Sequence, residues 1–456
     1  MGRDIPSAFS WGVTDQMLVN PLTEPLSDVP LTVVGGRGPH GLALHLWLQD
    51  RGVTGGYCLV DNADDWLPLY GPTGPMQATG YLRSPRELDF SLGCPDRAMT
   101  RFVDEDGSSP LANVYSLQDA ACETYNLSTT PQHRAPRLAF WRYANCVARR
   151  SGADAHVLKG EVVRLEPLAH PVQDRWRVHL RGGQSFETAV VVLATGLGPH
   201  LRIPLPWGSW WWHLPDANKT HALKLRCSDD LKGKRVVVAG SSNLATWETA
   251  VRAAEAGAKV TLLSRAPAPI EWQLPFPGGW FSAEPMAAFM ALPAPKRLRI
   301  LKKAHIPNTA LPGLAARAEA LGVRVLHHAR VRYATPLWSG VQLQYRLVHE
   351  ERAEYFDLLV AATGVSPRLK ELPLLADAAR AAKAPVVVGG PVRHRPILDD
   401  TGRWKNLPPL YPMGAHALMR AGFGANTLAS ATVYLPLTLP HILKRAGLAE
   451  KEMTYA

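Results

Sequence analysis

Three glycines in the order Gly36-Arg37-Gly38-Pro39-His40-Gly41 follow the apolar run Leu31–Val34 and precede a helical stretch from Leu42 to Asp50. That spacing suits an anion. Gly36 permits a tight turn, Gly38 lets backbone approach a pyrophosphate, and Gly41 lets helix and strand pack closely. Free N–H groups and the macrodipole at the helix start then favour phosphate oxygens. The next strand, Tyr57–Asp61, ends in a carboxylate that can accept from ribose hydroxyls. A strand before, a helix after and an acid beyond make a ligand-free glycine turn the weaker reading. Pro39 opens the helix, and His40 either touches the phosphates or caps the helix.

A second segment repeats this order with altered chemistry. Arg235–Ala239 is followed by Gly240-Ser241-Ser242-Asn243-Leu244-Ala245, a helical pattern to Ala256 and a strand, Lys259–Ser264. Ser242 and Ala245 stand where the second and third glycines are expected. Both are small, so phosphate can still come close. The strand runs into Arg265 where an acid is expected. A carboxylate there would repel a 2′-phosphate, whereas a guanidinium can hold it bidentately. NADPH is therefore expected over NADH, the alternative being that Arg265 is a solvated strand-end charge.

These two units need elements to position them. Each is followed by short alternating strands that end on Ala-Thr-Gly. In the first half the strands are Gly160–Leu165, Arg175–Leu180 and Ala189–Leu193, closing on Ala194-Thr195-Gly196. In the second they are Val323–Leu326, Val341–Tyr345 and Phe356–Val360, closing on Ala362-Thr363-Gly364. A β-α-β unit, a meander and a buried closing strand make one dinucleotide-binding domain, found here twice. The fold class is α/β, with two Rossmann-like domains of three-layer ββα form. The first turn is assigned to FAD, and the NADPH domain is inserted in the FAD domain. The boundaries expected are 28–206 with 365–456 for FAD and 231–364 for NAD(P)H, with a Trp-rich connector, 207–230, between them.

The chain has 456 residues, 46% hydrophobic and 20% charged, with 50 basic against 39 acidic side chains for a net charge of +11. No dense Lys/Arg run with interleaved aromatics accompanies that charge, so a nucleic-acid partner is not expected. Cys58, Cys94, Cys122, Cys146 and Cys227 form no C-x-x-C pair, which argues against a disulfide framework, a zinc knuckle or a dithiol site. No metal site, catalytic triad or paired catalytic carboxylates are evident. No secretory signal and no apolar run long enough to span a membrane are seen, and a cytoplasmic protein is expected. The amphipathic stretch Leu435–Lys444 reads as a core or dimer helix, so a homo-oligomer stays open. Six tryptophans fall in apparent loops: Trp207, Trp210, Trp211, Trp212, Trp272 and Trp280. Such clusters line pockets or interfaces, or pack between domains.

Together these residues resemble the two-dinucleotide-binding flavoproteins, and within them the flavin-containing and lysine/ornithine N-hydroxylating monooxygenases. The segments Gly240–Glu248 and Glu255–Arg265, with Thr220-His221-Ala222 before them, are similar to the NADPH motif. Met76-Gln77 resembles the Met-Gln pair beside the isoalloxazine, and Arg137-x-x-Phe140-x-x-Tyr143 the helix packed on the FAD domain. Val163 or its neighbour Val162 matches the strand whose backbone contacts adenine. Leu82 and Arg83 stand where the N-hydroxylases carry a lysine, and Gly414 is followed by Ala415 where disulfide reductases carry Asp. The resemblance implies NADPH reduction of FAD, a C4a-hydroperoxyflavin, and oxygen transfer to a small amine or sulfide. The flavin carries that chemistry, with Gln77 and Asn243 as candidate polar neighbours of the intermediate. A flavin or disulfide reductase using a single thiol (Cys58, Cys94 or Cys146) is the alternative.

Overall fold

The computed structural model describes residues 28–72, 74, 82, 84, 89–92, 98, 99, 102, 136–169, 172–196, 201–226, 229–271, 282–304, 309, 310, 313–365, 368, 369, 372–388 and 394–448. Continuous apolar runs form its central strands. The first sheet contains β1 (Asp28–Val34), β2 (Tyr57–Asp61), β3 (Val157–Lys159), β4 (Val162–Leu168), β5 (Arg175–Leu180), β6 (Ser185–Leu193) and β17 (Leu410–Pro412). Its order is β3-β2-β1-β6-β5-β4, with β17 also on β6. The β3, β2, β1, β6 and β17 pairings are parallel, and β4-β5-β6 is an antiparallel meander. Leu31, Val33, Leu59 and Val190–Leu193 are fully buried, as expected of parallel strands covered on both faces.

The second sheet repeats the plan. It contains β7 (Lys219–His221), β8 (Arg235–Gly240), β9 (Lys259–Ser264), β12 (Arg324–Leu326) and β16 (Leu358–Ala362), all parallel, in the order β12-β9-β8-β16-β7. Alternation along these strands divides their side chains between two layers. Val236, Val238, Val260, Leu262 and Val360 pack with Trp247, Ala250 and Val251 of the Leu244–Glu255 helix. Val237, Ala239, Leu263, Leu359 and Ala361 pack with Ala334, Val341, Leu343, Tyr345 and Phe356. Those last five belong to a separate antiparallel sheet of β13 (Ala329–Leu337), β14 (Gly340–Leu347) and β15 (Glu350–Phe356). Three layers result. Strands β10 (Ile270–Glu271) and β11 (Thr309–Ala310) form a small pair apart.

Three differences from the sequence reading have physical causes. Val323–Leu326 was expected in the meander, but its β12 portion pairs with β9, and the unanticipated Ala329–Leu337 takes the meander place. Phe356–Val360 is broken at Asp357, whose N–H donates to the Arg235 carbonyl (2.8 Å) and whose carboxylate accepts from the Arg235 N–H (2.6 Å). In the first half, β6 is nine residues long and serves both the meander and the parallel sheet, so no separate third sheet forms.

The connector divides between packing and sheet. Trp207, Trp210 and Trp211 lie on the Leu205–Trp211 helix and are buried against the β13–β15 face. Further on it supplies β7, the edge strand of the second sheet. Trp212 is 69% exposed, and Trp272 and Trp280 lie outside the described residues. Helix Leu435–Ala446 buries Leu435, Leu439, Ile442 and Leu443 in the first core. Among the described residues, no helix is long and apolar enough to cross a membrane.

Candidate functional site

The first turn lies at the C-terminal ends of β1, β2 and β6, where open α/β sheets bind ligands. It leads into α1 (Pro39–Asp50), with Gly38 at the N-cap and Pro39 at the first helical position. No side chain caps this helix and its first turn holds no acid, so its N-terminus presents backbone donors to an anion. A Cβ on Gly41 would fall 1.8 Å from the Gly36 carbonyl oxygen, and one on Gly36 would fall 2.6 Å from the Leu59 Cβ. Helix and strands touch there backbone to backbone. Asp61 accepts from the Arg37 N–H (3.0 Å) with one carboxylate oxygen and from the Ala63 N–H (2.9 Å) with the other. Each oxygen keeps a lone pair for a ribose hydroxyl.

Ala194, Thr195 and Gly196 leave the end of β6 beside this turn: the Ala194 N–H donates to the Val34 carbonyl at 2.8 Å. The Thr195 hydroxyl is buried without a hydrogen-bond partner, an unmet polar group at the place where a dinucleotide would lie. Val163 sits at a register shift in the β4–β5 pairing, between Val162 opposite Leu180 and Arg164 opposite His179. A bulge frees its backbone from the ladder, as a contact to a base edge requires. Arg37 went unrecognised in the sequence. Its guanidinium pairs with Asp154 (3.1 Å) and lies over the Trp66 ring, walling the Asp61 end. Met76 and Gln77 lie outside the described residues.

The second turn is built differently. It leads into α2 (Leu244–Glu255), whose N-cap is Asn243, with the side-chain oxygen accepting from the Thr246 N–H (3.1 Å) and hydroxyl (2.9 Å). That oxygen caps the helix start, and the amide nitrogen of Asn243 is left to meet a group at the turn. Ser242 is fully buried, its hydroxyl bonded to Ser264 (2.8 Å) and to the Pro267 carbonyl. The residue expected to face phosphate instead ties the turn to the end of β9. Gly240 is required by contact: a Cβ there would lie 2.5 Å from both the Ala362 carbonyl and the Thr246 hydroxyl. Ser241 is half-buried at the head of the turn, and its carbonyl accepts from the Asn243 N–H at 2.7 Å.

Beside this turn opens a cleft of about 990 Å³, whose lining among the described residues includes Gly240, Thr363 and six arginines and no carboxylate. Arg265 is there as expected. Arg202, Arg330, Arg332, Arg368 and Arg395 were not foreseen. Arg330 and Arg332 both come from β13, Arg332 at the register shift between Val331 and Tyr333; overlooking that strand hid them. Arg332 also pairs with Glu351 at 3.6 Å. Burial pulls the Arg395 guanidinium down to about 10, still charged at neutral pH, and it donates to the Ala415 carbonyl. His394 lines the cleft beside Arg395.

The turn at Gly364 (φ +77°) is clamped from two sides. Its carbonyl accepts from the Arg202 N–H (3.0 Å) and from His221 Nε2 (3.0 Å). The Leu223 N–H donates to His221 Nδ1 (3.2 Å), so the proton of this neutral ring is on Nε2. Burial lowers the His221 pKa, which keeps that form. The Thr363 hydroxyl donates to the Arg202 carbonyl, fastening the two strands that join the halves. Of the thiols, Cys58 is buried in β2 and pushed up to about 12, Cys146 is half-buried, and Cys94, Cys122 and Cys227 lie outside the described residues. Among the described residues no group of three His, Cys, Asp or Glu could hold a metal.

No family model matches the chain, and a search of curated proteins finds no match. Solved structures do match. An ornithine hydroxylase from Pseudomonas aeruginosa superposes with a TM-score of 0.70 at 17% identity, covering 92% of this chain and 99% of its own. An ornithine N-hydroxylase from Kutzneria sp. 744, with reduced FAD, NADP⁺ and L-ornithine, matches at 0.69 and 15%, over 92% and 99%. A bacillithiol disulfide reductase from Staphylococcus aureus matches at 0.57 and 14%, over 92% and 99%. The chain shares the fold of these solved structures. The expected α/β architecture with paired Rossmann-like units is therefore observed.

Proposed function

We propose that this protein is an FAD- and NADPH-dependent monooxygenase that places one oxygen atom on the nitrogen of a small amine. The observation that supports it most is a pair of strand-turn-helix seats with unlike chemistry, in a fold shared with ornithine hydroxylases. The first is an uncapped helix start with a ribose-ready acid, suited to FAD. The second opens on a cleft lined, among the described residues, by six arginines and no acid, suited to the extra phosphate of NADPH. The chemistry supplied when FAD is bound is hydride acceptance from NADPH and oxygen transfer to nitrogen, the second oxygen atom leaving as water.

The chain's own residues bind and orient. Gly36, Gly38, Pro39, His40 and Gly41 seat the pyrophosphate, Asp61 the ribose, Val163 the adenine edge, and Ala194, Thr195 and Gly196 the edge of the cofactor. Gly240 and Ser241 let NADPH approach, Arg265 with Arg330 holds its 2′-phosphate, and Thr363 and Gly364 form the turn between the halves. Met76 and Gln77 are assigned to the isoalloxazine on the strength of the resemblance alone. The nested division, 28–206 with 365–456 around 231–364, belongs to this reading. So does a cytoplasmic location, where NADPH is available and free thiols such as Cys58 persist. A thiol-based reductase is disfavoured at Cys58, which holds no thiolate near neutral pH.

The test is an anaerobic NADPH titration of the purified protein by visible absorbance, followed by oxygen and a panel of primary amines. Flavin bleaching and hydroxylamine formed in step with NADPH consumed is the expected result. Stoichiometric peroxide with every amine, or NADPH-dependent reduction of disulfides, would overturn it.

A further inference from the structure

His40 occupies the second helical position of α1, where side chains lean back toward the helix N-terminus and its anion seat. Its Nε2 lies 2.9 Å from the hydroxyl of Ser430, which is 390 residues away in sequence and fully buried. That hydroxyl already accepts the Gly414 N–H at 3.2 Å. A buried hydroxyl proton without an acceptor would be costly, and His40 Nε2 is the acceptor offered. The bonds therefore run in one direction, Gly414 N–H to Ser430 Oγ–H to His40 Nε2. This leaves the ring proton on Nδ1, the nitrogen turned away from Ser430. Gly414 closes on the same edge of the ring, since a Cβ there would come 3.3 Å from His40 Cε1 and 3.9 Å from Nε2. Burial lowers the His40 pKa to about 4, consistent with a neutral ring.

Strand order says which part of a dinucleotide lies here. Asp61, the ribose acceptor, ends β2 on one side of β1, whereas β6 and β17 follow on the other side. A cofactor with its adenosine over β2 and its pyrophosphate on α1 must extend its remaining half over β6 and β17. Gly414 follows one residue, Met413, after the end of β17.

We propose that His40, held by Ser430 as the Nδ1–H tautomer, donates a hydrogen bond to the flavin-side phosphate of FAD and so ties that half of the cofactor to the C-terminal segment. This rests on the assignment of the first seat to FAD. It is tested by titrating flavin-stripped protein with FAD and, separately, with 5′-AMP, which carries only the adenosine-side phosphate. His40→Phe is expected to weaken FAD by about tenfold or more, the worth of a hydrogen bond to a charged group, and to leave AMP unchanged. His40→Asn, whose amide nitrogen can stand near Nδ1, should recover most of the loss. Ser430→Ala should weaken FAD less than His40→Phe while AMP again stays constant. Equal losses for FAD and AMP would reveal a folding defect and overturn the proposal, as would an unchanged FAD affinity in His40→Phe. Independently of flavin, ¹⁵N NMR of histidine-labelled protein, assigned by the His40→Asn difference, should show His40 protonated at Nδ1; protonation at Nε2 would overturn it. Wild-type protein that binds no FAD, with His40 nonetheless at Nδ1–H, would instead mark failure of the FAD assignment.

Discussion

At Gly41 a single methyl group has nowhere to go, because the Gly36 carbonyl oxygen fills the place of a Cβ. Gly41→Ala must force α1 away from β1, and overpacking of this kind costs about 1–3 kcal/mol. The measurable outcomes are a lower melting temperature and loss of copurified flavin. Arg265→Ala should act differently. With a 2′-phosphate bidentately bound, its removal should raise the KM for NADPH by about tenfold to a hundredfold, as expected for a charged hydrogen bond. The KM for NADH and the melting temperature should stay put. Equal KM changes for both cofactors would show that Arg265 is a solvated charge. The glycines and Arg265 were legible because their chemistry is local to a turn. Arg202, Arg368 and Arg395 were not, since nothing local to residue 202 or 395 announces a cleft assembled from separated stretches of chain.

Among the elements, the two turn helices begin in unlike ways, α1 uncapped and α2 capped by Asn243. Asn243 was read as part of the chemistry, and its carbonyl oxygen satisfies two donors of Thr246. Asn243→Ala should therefore cost about 1 kcal/mol of stability, the usual worth of an N-cap, seen as a modest drop in melting temperature. The turnover number should stay within about twofold; a collapse of turnover at unchanged stability would uphold the catalytic reading. The strands of the two β-α-β units were well read, the Ala329–Leu337 strand was missed, and strand membership in the second half was misassigned. Val323–Leu326 and Ala329–Leu337 carry similar alternation, and only tertiary pairing decides that one joins the parallel sheet and the other the meander. Asp357 breaks the last apolar run by bonding the backbone of Arg235, a contact across the sheet that no window of sequence reveals.

For the whole molecule, acid should be destabilising before any carboxylate titrates. His40 and His45 are each lowered to about 4 by burial, and His221 is lowered too. The folded state keeps all three neutral while the unfolded chain protonates them near 6.5. Stability is thus complete above about 6.5 and falls as pH drops from there toward 4, by up to about 1.4 kcal/mol per unit for each histidine. Denaturant midpoints at pH 7.5, 6 and 5 should fall in that order, and His45→Gln should flatten the slope. A midpoint independent of pH across this range would contradict the neutral assignments.

The two parallel sheets have the same order, β3-β2-β1-β6-β17 and β12-β9-β8-β16-β7, but recruit their last strand from opposite directions along the chain. In the second sheet β7 comes first, so all five strands have left the ribosome once Ala362 has emerged. In the first sheet the same position waits for Leu410–Pro412. Synthesis thus completes the later unit before the earlier one, and Gly414 and Ser430, which close over the first seat, arrive later still. A nascent chain can gather the second unit while still tethered, whereas the first stays open-edged until Leu410–Pro412 has been made.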